Sequence, residues 1–589
     1  MRKLFTALAG ALVAALLAGA FAGPAQAASK REYVVGYKAG ALKAAKRAVR
    51  AHDGKVTQLD RTAKLLTVRA GKGFSTALRG NRAIRGVARN RVIGTVRPQP
   101  DPEQDGRGNA LGKGGVTVRE PGGGLTEPLA GMQWDMAMIG ATADGSYATQ
   151  QGNRGVTVAV IDTGIDGSHP DIAPNFDAAH SVNFTTDKED IDGKCVQEPD
   201  HSCTDPVDVD EDGHGTHVAG TIAAPINGLG MAGVAPNVTL VNDRAGQDSG
   251  FFFWRETVQA LDHAAAIGAD VANMSFYTDP WQFNCDAAHP ALDENGDPAD
   301  SPQEIAEQTF IRNEVQAAVD RAIAGGVTLV AAAGNFHSNL DGTKTDDTSP
   351  DYPEGNEKVR IVTDWCRDMP NEANGVMSVS AVGPSKAKAD YSNYGAGQET
   401  GGTGDDPAGE IDVAAPGGYF RDFFGTEQFR APQNEILGPY PLNVARANKE
   451  VSGSGKPLSE FVVRDCSAEK TNTQADPSPQ PAPTTECAYY QLIQGTSMAS
   501  PHAAGVAALI VSQFGVADPI HGGLTMDPAA VRERLRATAT DTPCPVPATV
   551  SYENVERPAS WTATCLGTAV YNGFYGDGIV NAQNALTAP

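Results

Sequence analysis

Three short stretches of the 589-residue sequence carry residue types that together suit covalent acyl transfer. Asp162 follows the apolar run VTVAVI and opens Asp162-Thr163-Gly164-Ile165-Asp166. A carboxylate at the mouth of a buried strand is expensive unless something pairs with it. His214 begins His214-Gly215-Thr216-His217-Val218-Ala219-Gly220, where flanking glycines present an imidazole with little steric cover at a helix start. Ser497 lies in Gly495-Thr496-Ser497-Met498-Ala499-Ser500-Pro501-His502, ahead of AAGVAALIVSQF, a helix apolar on nearly all sides. Pro501 fits only the first turn of that helix, so Ser497 sits at its N-terminus, where unpaired backbone N–H groups can hold a developing oxyanion.

Each residue has a plainer reading on its own. Asp162 could be an N-cap or a metal ligand, and Ser497 an N-cap alone. His214 and His217 could be metal ligands on one helical face. No H-E-x-x-H pattern or third nearby ligand supports zinc, so His217 reads as structural. The combination changes the balance. A serine hydroxyl is a weak nucleophile until an imidazole takes its proton, and the imidazole needs a carboxylate to fix its tautomer. The sequence supplies one of each, in the order Asp, His, Ser, each at a strand end or helix start.

The elements that must position these residues show in the apolar pattern. Mostly apolar runs bounded by Gly, Asn or Pro recur at 156–161, 238–241, 271–275, 327–333, 376–382 and 411–415. Helical stretches lie between several of them, notably 256–267 and 313–324. Strands apolar on both faces alternating with helices predict an α/β fold, a mostly parallel buried sheet with helices on both faces. Such sheets place ligands beyond the carboxyl ends of their strands. Polar insertions interrupt the frame near 185–210, 277–304, 337–372 and 418–488.

The N-terminal part is different in kind. Arg2 and Lys3, an apolar run to Phe21 and Ala25-Gln26-Ala27 predict a signal peptide over 1–27, removed on export. Residues 28–97 carry 18 Lys and Arg against 3 Asp and Glu, whereas residues 98–589 carry a net −41. A basic run usually points to nucleic acid, lipid or a solvated face. Here an acidic partner is covalently attached, so an intramolecular complex is the simpler idea, with no nucleic acid and no membrane after cleavage. Strands near 33–37, 65–68 and 86–93 and helices near 42–51 and 76–78 predict a small α+β domain. A Gly- and Pro-rich linker over 98–130 should be exposed and cleavable, leaving 131–589 as the main body. Eight cysteines, with no C-x-x-C pair, imply disulfides in an exported chain. Pairing each with its neighbour would staple four separate loops.

The motifs DTGID, HGTHVAG and GTSMASPHAAG resemble those of the subtilisin-like serine proteases, the subtilases. The resemblance implies a secreted endopeptidase with Asp162, His214 and Ser497 as catalytic triad, acting on protein or peptide substrates and needing no cofactor for its chemistry. Ala332-Ala333-Gly334-Asn335 matches the family's oxyanion-hole asparagine, Asn335. Ser275, Phe276 and Tyr277, with Ala333 and Gly334, match its substrate-binding segments. Residues 28–97 resemble the family's inhibitory and chaperoning propeptide, and a monomer is expected.

Departures from the family pattern bear on specificity. Phe276-Tyr277 stands where Leu-Gly is usual, which puts a bulky group beside the peptide channel. Phe251-Phe252-Phe253-Trp254 could form a hydrophobic subsite or pack under the next helix. Asp205, Asp208, Asp210 and Asp212, and Asp293, Asn295 and Asp297, are hard oxygen donors of the kind that hold structural calcium, or else solvated acidic loops. A binding protein on the same scaffold is the rival reading, and a nucleotide-binding fold lacks its glycine motifs.

Overall fold

The computed structural model describes residues 30–90, 92–95, 127–189, 191–197, 202–277, 280–350, 357–397, 411–467 and 487–588. The expected signal peptide and nearly all of the expected linker fall outside them.

The small domain is a four-stranded antiparallel sheet built from β1 (Arg31–Tyr37), α1 (Leu42–Ala51), β2 (Lys55–Asp60), β3 (Leu65–Ala70), α2 (Phe74–Leu78) and β4 (Ile84–Arg89), in strand order β2-β3-β1-β4. Its two faces follow from the two-residue period of a strand. Tyr33 and Val35 of β1 pack with Ala45, Val49, Phe74 and Leu78 in the domain's own core. Val34, Leu65 and Ala88 point the other way and join a cluster with Trp254 and Phe310 of the main body. The sequence pattern missed β2, because KVTQLD is a largely polar edge strand with nothing to bury on its outer side. It also merged β4 with a further strand, β5 (Val92–Thr95).

The main body holds a seven-stranded sheet. Its strands are β6 (Thr157–Ile161), β7 (Val182–Asn183), β8 (Thr239–Arg244), β10 (Val271–Met274), β11 (Thr328–Ala332), β12 (Val376–Val382) and β13 (Val413–Pro416). The order is β13-β12-β11-β10-β6-β8-β7, and each neighbouring pair is parallel. Between β8 and β10 lies β9 (Phe251–Phe253), which pairs antiparallel with β5.

Alternation again sorts the side chains. Val158 and Val160 face a cluster with Val218, Ile222 and Val506, contributed by α3 (His214–Ala223) and α6 (Thr496–Phe514). Ala159 and Ile161 face the opposite cluster with Val258, Leu261, Val315 and Val319, from α4 (Trp254–Ile267) and α5 (Pro302–Ala324). Helices therefore cover both faces, as expected. The helix α5 starts eleven residues earlier than the apolar pattern implied, at Pro302, after a capping box between Ser301 and Glu304. In the last insertion and just after it, β14 (Ile436–Pro439), β15 (Val462–Asp465) and β16 (Ala488–Ile493) form an antiparallel sheet. The disulfides join Cys195 to Cys203, Cys285 to Cys366, Cys466 to Cys487 and Cys544 to Cys565, each cysteine with its neighbour. No helix among the described residues is long and apolar enough to cross a membrane.

Candidate active site

Asp162 directly follows β6 at the carboxyl edge of the sheet, and His214 is the first residue of α3. The two meet in the interior, where His214 Nδ1 lies 2.8 Å from Asp162 Oδ1. The same carboxylate oxygen accepts the Thr163 backbone N–H at 2.8 Å. A carboxylate at Nδ1 assigns the proton to that nitrogen, so the neutral ring keeps its lone pair on Nε2. Burial presses the His214 pKa down, but the charge and hydrogen bond of Asp162, then the charges of Asp212 and Asp210, outweigh it and leave the pKa raised.

The start of α3 is anchored by two carboxylates. Asp210 accepts the Thr216 hydroxyl and N–H at 2.6 and 3.0 Å and the Gly213 N–H at 2.9 Å. Asp212 accepts the His214 N–H at 3.1 Å. Both are among the hard oxygen donors expected from the sequence to suit calcium. Asp205 pairs with the buried Arg244, whose guanidinium also meets Asp187 and Asp248. Those three carboxylates are the described group close enough to share a cation, and an arginine already lies among them. Asp293 Oδ1 accepts the N–H groups of Asn295 and Asp297 within its own loop. Asp208 uses its backbone carbonyl to hold Gly167 N–H at 3.0 Å.

Ser497 occupies the first turn of α6 and is buried. Its hydroxyl donates to the Ser275 carbonyl at 3.0 Å. His214 Nε2 is buried without a hydrogen-bond partner, so the serine-to-imidazole bond is not formed in this conformation. Ser275 is bound back to the Ser497 turn: its hydroxyl contacts the Ser497 carbonyl at 2.9 Å and the Ser500 hydroxyl at 2.8 Å, and takes the Asn273 amide at 2.8 Å. The end of β10 and the start of α6 are thereby one hydrogen-bonded unit.

Asn335 lies just past β11 on the same edge. Its Oδ1 accepts both the backbone N–H and the hydroxyl of Thr496, at 2.9 and 2.8 Å. The Thr496 hydroxyl in turn accepts the Gly334 N–H at 3.0 Å. Thr496 carries no signal of this role in the sequence beyond its place inside the GTSMAS motif. The amide nitrogen of Asn335 lies 3.5 Å from where a Gly495 Cβ would stand, beside the turn that carries Ser497. Ala333 is fully buried, and its carbonyl accepts the Asn371 and Asn393 amides at 3.3 and 2.8 Å.

The flanking aromatics divide between buried and half-buried positions. Phe276 is buried and stacks on Phe252 with ring centroids 4.1 Å apart. Phe252, Phe253 and Trp254 are likewise interior, which favours packing under α4 over an open subsite for these three. Tyr277 is half-buried and meets Phe336 edge-on at 5.1 Å. His217 is structural, as expected: its Nε2 bonds the Ile436 carbonyl at 3.1 Å, and burial lowers its pKa to about 3. His502 spans Met498 O and Asp135 Oδ2.

Residues 153–561 match the family model described as the subtilase family. The chain belongs to the subtilases. It is a subtilisin-like serine protease. Relatives of this subtilase include subtilisin DY of Bacillus licheniformis, 27% identical over 66% of this chain and 86% of that one. Subtilisin E of Bacillus subtilis (strain 168) is 26% identical over 73% of this chain and 65% of that one. Among solved structures, the epidermin leader peptide processing serine protease of Staphylococcus aureus superposes with TM-score 0.57 at 19% identity, covering 95% of this chain and 98% of the other. Fervidolysin of Fervidobacterium pennivorans gives TM-score 0.51 at 21% identity, over 95% and 61%. At these identities the structural likeness speaks for the fold alone.

Proposed function

We propose that this subtilase is a secreted endopeptidase working through Asp162, His214 and Ser497. The observation that carries the reading is the buried pair of His214 Nδ1 and Asp162 Oδ1, which leaves the unpartnered Nε2 as the site's base. In the proposed cycle the Ser497 hydroxyl leaves the Ser275 carbonyl and gives its proton to His214 Nε2 as its oxygen attacks the peptide carbonyl. Catalytic hydrogen bonds in unliganded enzymes commonly tighten only with substrate present. Asp162 stabilises the imidazolium, while the Asn335 amide and the Ser497 backbone N–H receive the oxyanion. His214 then protonates the leaving amine, and water resolves the acyl-enzyme. Every step is a proton or acyl transfer between these groups and the substrate, so the chemistry requires no cofactor. Structural calcium belongs to the expectation for stability rather than for turnover.

In this reading residues 28–97 are the inhibitory propeptide and folding template of a monomeric enzyme. Support comes from the packing of its sheet on α4 and α5 and from the pairing of β5 with β9, whose Phe252 stacks on Phe276 next to Ser275. The N-terminal sequence supports export.

The decisive experiment is Ser497→Ala. The variant should fold, lose fluorophosphonate labelling and peptide hydrolysis together, and retain its N-terminal segment when expressed alone. Hydrolysis near the wild-type rate would refute the assignment of the nucleophile. Loss of the segment at the same junction would show that another protease processes the chain.

A further inference from the structure

Asp368 is wholly buried, and neither of its carboxylate oxygens has a hydrogen-bond partner. An unpaired carboxylate in a protein interior is among the costliest features a fold can carry. Its position is specific. Asp368 Oδ2 lies 3.5 Å from where a Cβ on Gly334 would stand, so the carboxylate rests against the bare backbone of the Ala333–Asn335 wall. Gly334 N–H is held by Thr496, the residue preceding the nucleophile. The Asp368 segment is tied to the same wall through the Asn371 amide on the Ala333 carbonyl, and to the insertion through Cys285–Cys366.

A second carboxylate stands behind the first. Glu372 Oε2 accepts the Asp368 N–H, and Oε1 is buried without a partner. The cations nearby are engaged with other atoms. Lys344 Nζ donates to the Leu340 carbonyl at 2.7 Å and the Gly342 carbonyl at 3.4 Å. Arg367 donates to the Glu372 carbonyl and the Asn374 side chain. Asp346, the next acidic neighbour, is paired with Arg360. Burial first and the charge of Glu372 second push the Asp368 carboxyl well above the usual carboxylate range. Such a group gains most from a cation delivered to it.

We propose that Asp368, backed by Glu372, receives the side-chain cation of a lysine or arginine immediately before the scissile bond. This rests on the endopeptidase reading above and names its substrate class. A long aliphatic stem can pass the Gly334 wall while its charged end pairs beyond it, and a guanidinium can bind a carboxylate through two hydrogen bonds. An aromatic or aliphatic side chain in the same place would leave both carboxylates desolvated and unpaired, which disfavours it.

The test uses the full chain, allowed to process, with fluorogenic peptides differing only in the residue before the cut. Lysine and arginine should exceed phenylalanine and leucine in kcat/KM by about tenfold or more. Benzamidine should inhibit competitively. Asp368→Asn should lower the ratio of basic to neutral kcat/KM roughly a hundredfold, and Glu372→Gln by less. A wild-type preference for phenylalanine, leucine or glutamine overturns the proposal, as does an Asp368→Asn enzyme that keeps its basic preference. Should that variant fail to fold, the wild-type profile and benzamidine decide. Fluorophosphonate labelling separates the levels. A labelled enzyme with neutral preference removes this proposal alone, whereas no labelling and no hydrolysis remove the peptidase reading and the proposal with it.

Discussion

Thr496 grips Asn335 by one end of its amide. Both the backbone N–H and the hydroxyl of Thr496 terminate on Asn335 Oδ1, which fixes the carbonyl end and turns the NH2 group the other way. If that NH2 stabilises the oxyanion, Asn335→Ala should lower kcat by about 10²–10³ with little change in KM. Thr496→Val keeps the shape but removes the hydroxyl that bonds both Asn335 and Gly334. It should reduce kcat about tenfold by loosening the amide, and cost about 1–3 kcal/mol by orphaning the Gly334 N–H. Steady-state kinetics beside urea melts separate the two effects.

The acid limb of kcat/KM should lie above the usual imidazole range. His214 must be neutral to act as base, and its pKa is raised because Asp162, Asp212 and Asp210 outweigh burial. Asp212→Asn removes one of those charges while keeping an acceptor for the His214 N–H, so the limb should move to lower pH. The same variant carries a stability signature. Burial, then Asp210, raise the Asp212 pKa to about 7, so ionising it opposes folding as pH climbs from its unfolded value through that point. Asp212→Asn should therefore stabilise at pH 8 and progressively less toward pH 4, as melting curves would show.

Phe310 of α5 fills a socket in the small domain. A Cβ on Gly86 would stand 2.2 Å from its ring, and one on Gly36 would stand 2.8 Å away. Phe310→Ala should cost the association about 3–5 kcal/mol, and Gly86→Val should act at least as strongly from the other side. The readout is the inhibition constant of residues 28–97 added in trans, expected to rise a hundredfold or more.

The bridge Cys285–Cys366 closes the longest loop, with a sequence separation of 81. Replacing both cysteines by serine should lower stability by about 4 kcal/mol on the chain-entropy estimate. Because Cys285, Cys366 and Ala333 share one buried cluster, the loss should also appear as a raised KM.

The three proposed catalytic residues stand out because each lies where a strong local pattern changes: the end of an apolar strand, a glycine-flanked turn, the head of an apolar helix. Pro501, expected in the first turn of that helix, is instead its sixth residue, and the Ser497 carbonyl that a backbone N–H there would have met accepts the Ser275 hydroxyl. Continuous apolar runs likewise mark the central strands as buried on both faces. Features that depend on distant partners left less trace. The polar strand β2 earns its place only from β3, which a window of sequence does not see. The early start of α5 was in fact written in Ser301 and Glu304, and went unread because the surrounding loop is polar. Asp368 looked like one acid among many in an insertion. Its importance comes from lying against Gly334, a proximity created by tertiary packing.

The His217 ring occupies the space a side chain on Gly438 would need, its carbons 2.4 Å from that Cβ position, and Pro439 presses on Gly220 in the same way. One edge of the long insertion is thus moulded to the helix that begins with His214. Across related sequences, positions 436–439 should drift only in step with 217 and 220, a bulkier residue at 438 accompanying a smaller one at 217. Gly453 and Ser454, exposed in a turn of the same insertion, are free to change, whereas Gly455 beside them is held by Tyr489 and Arg464 on its carbonyl.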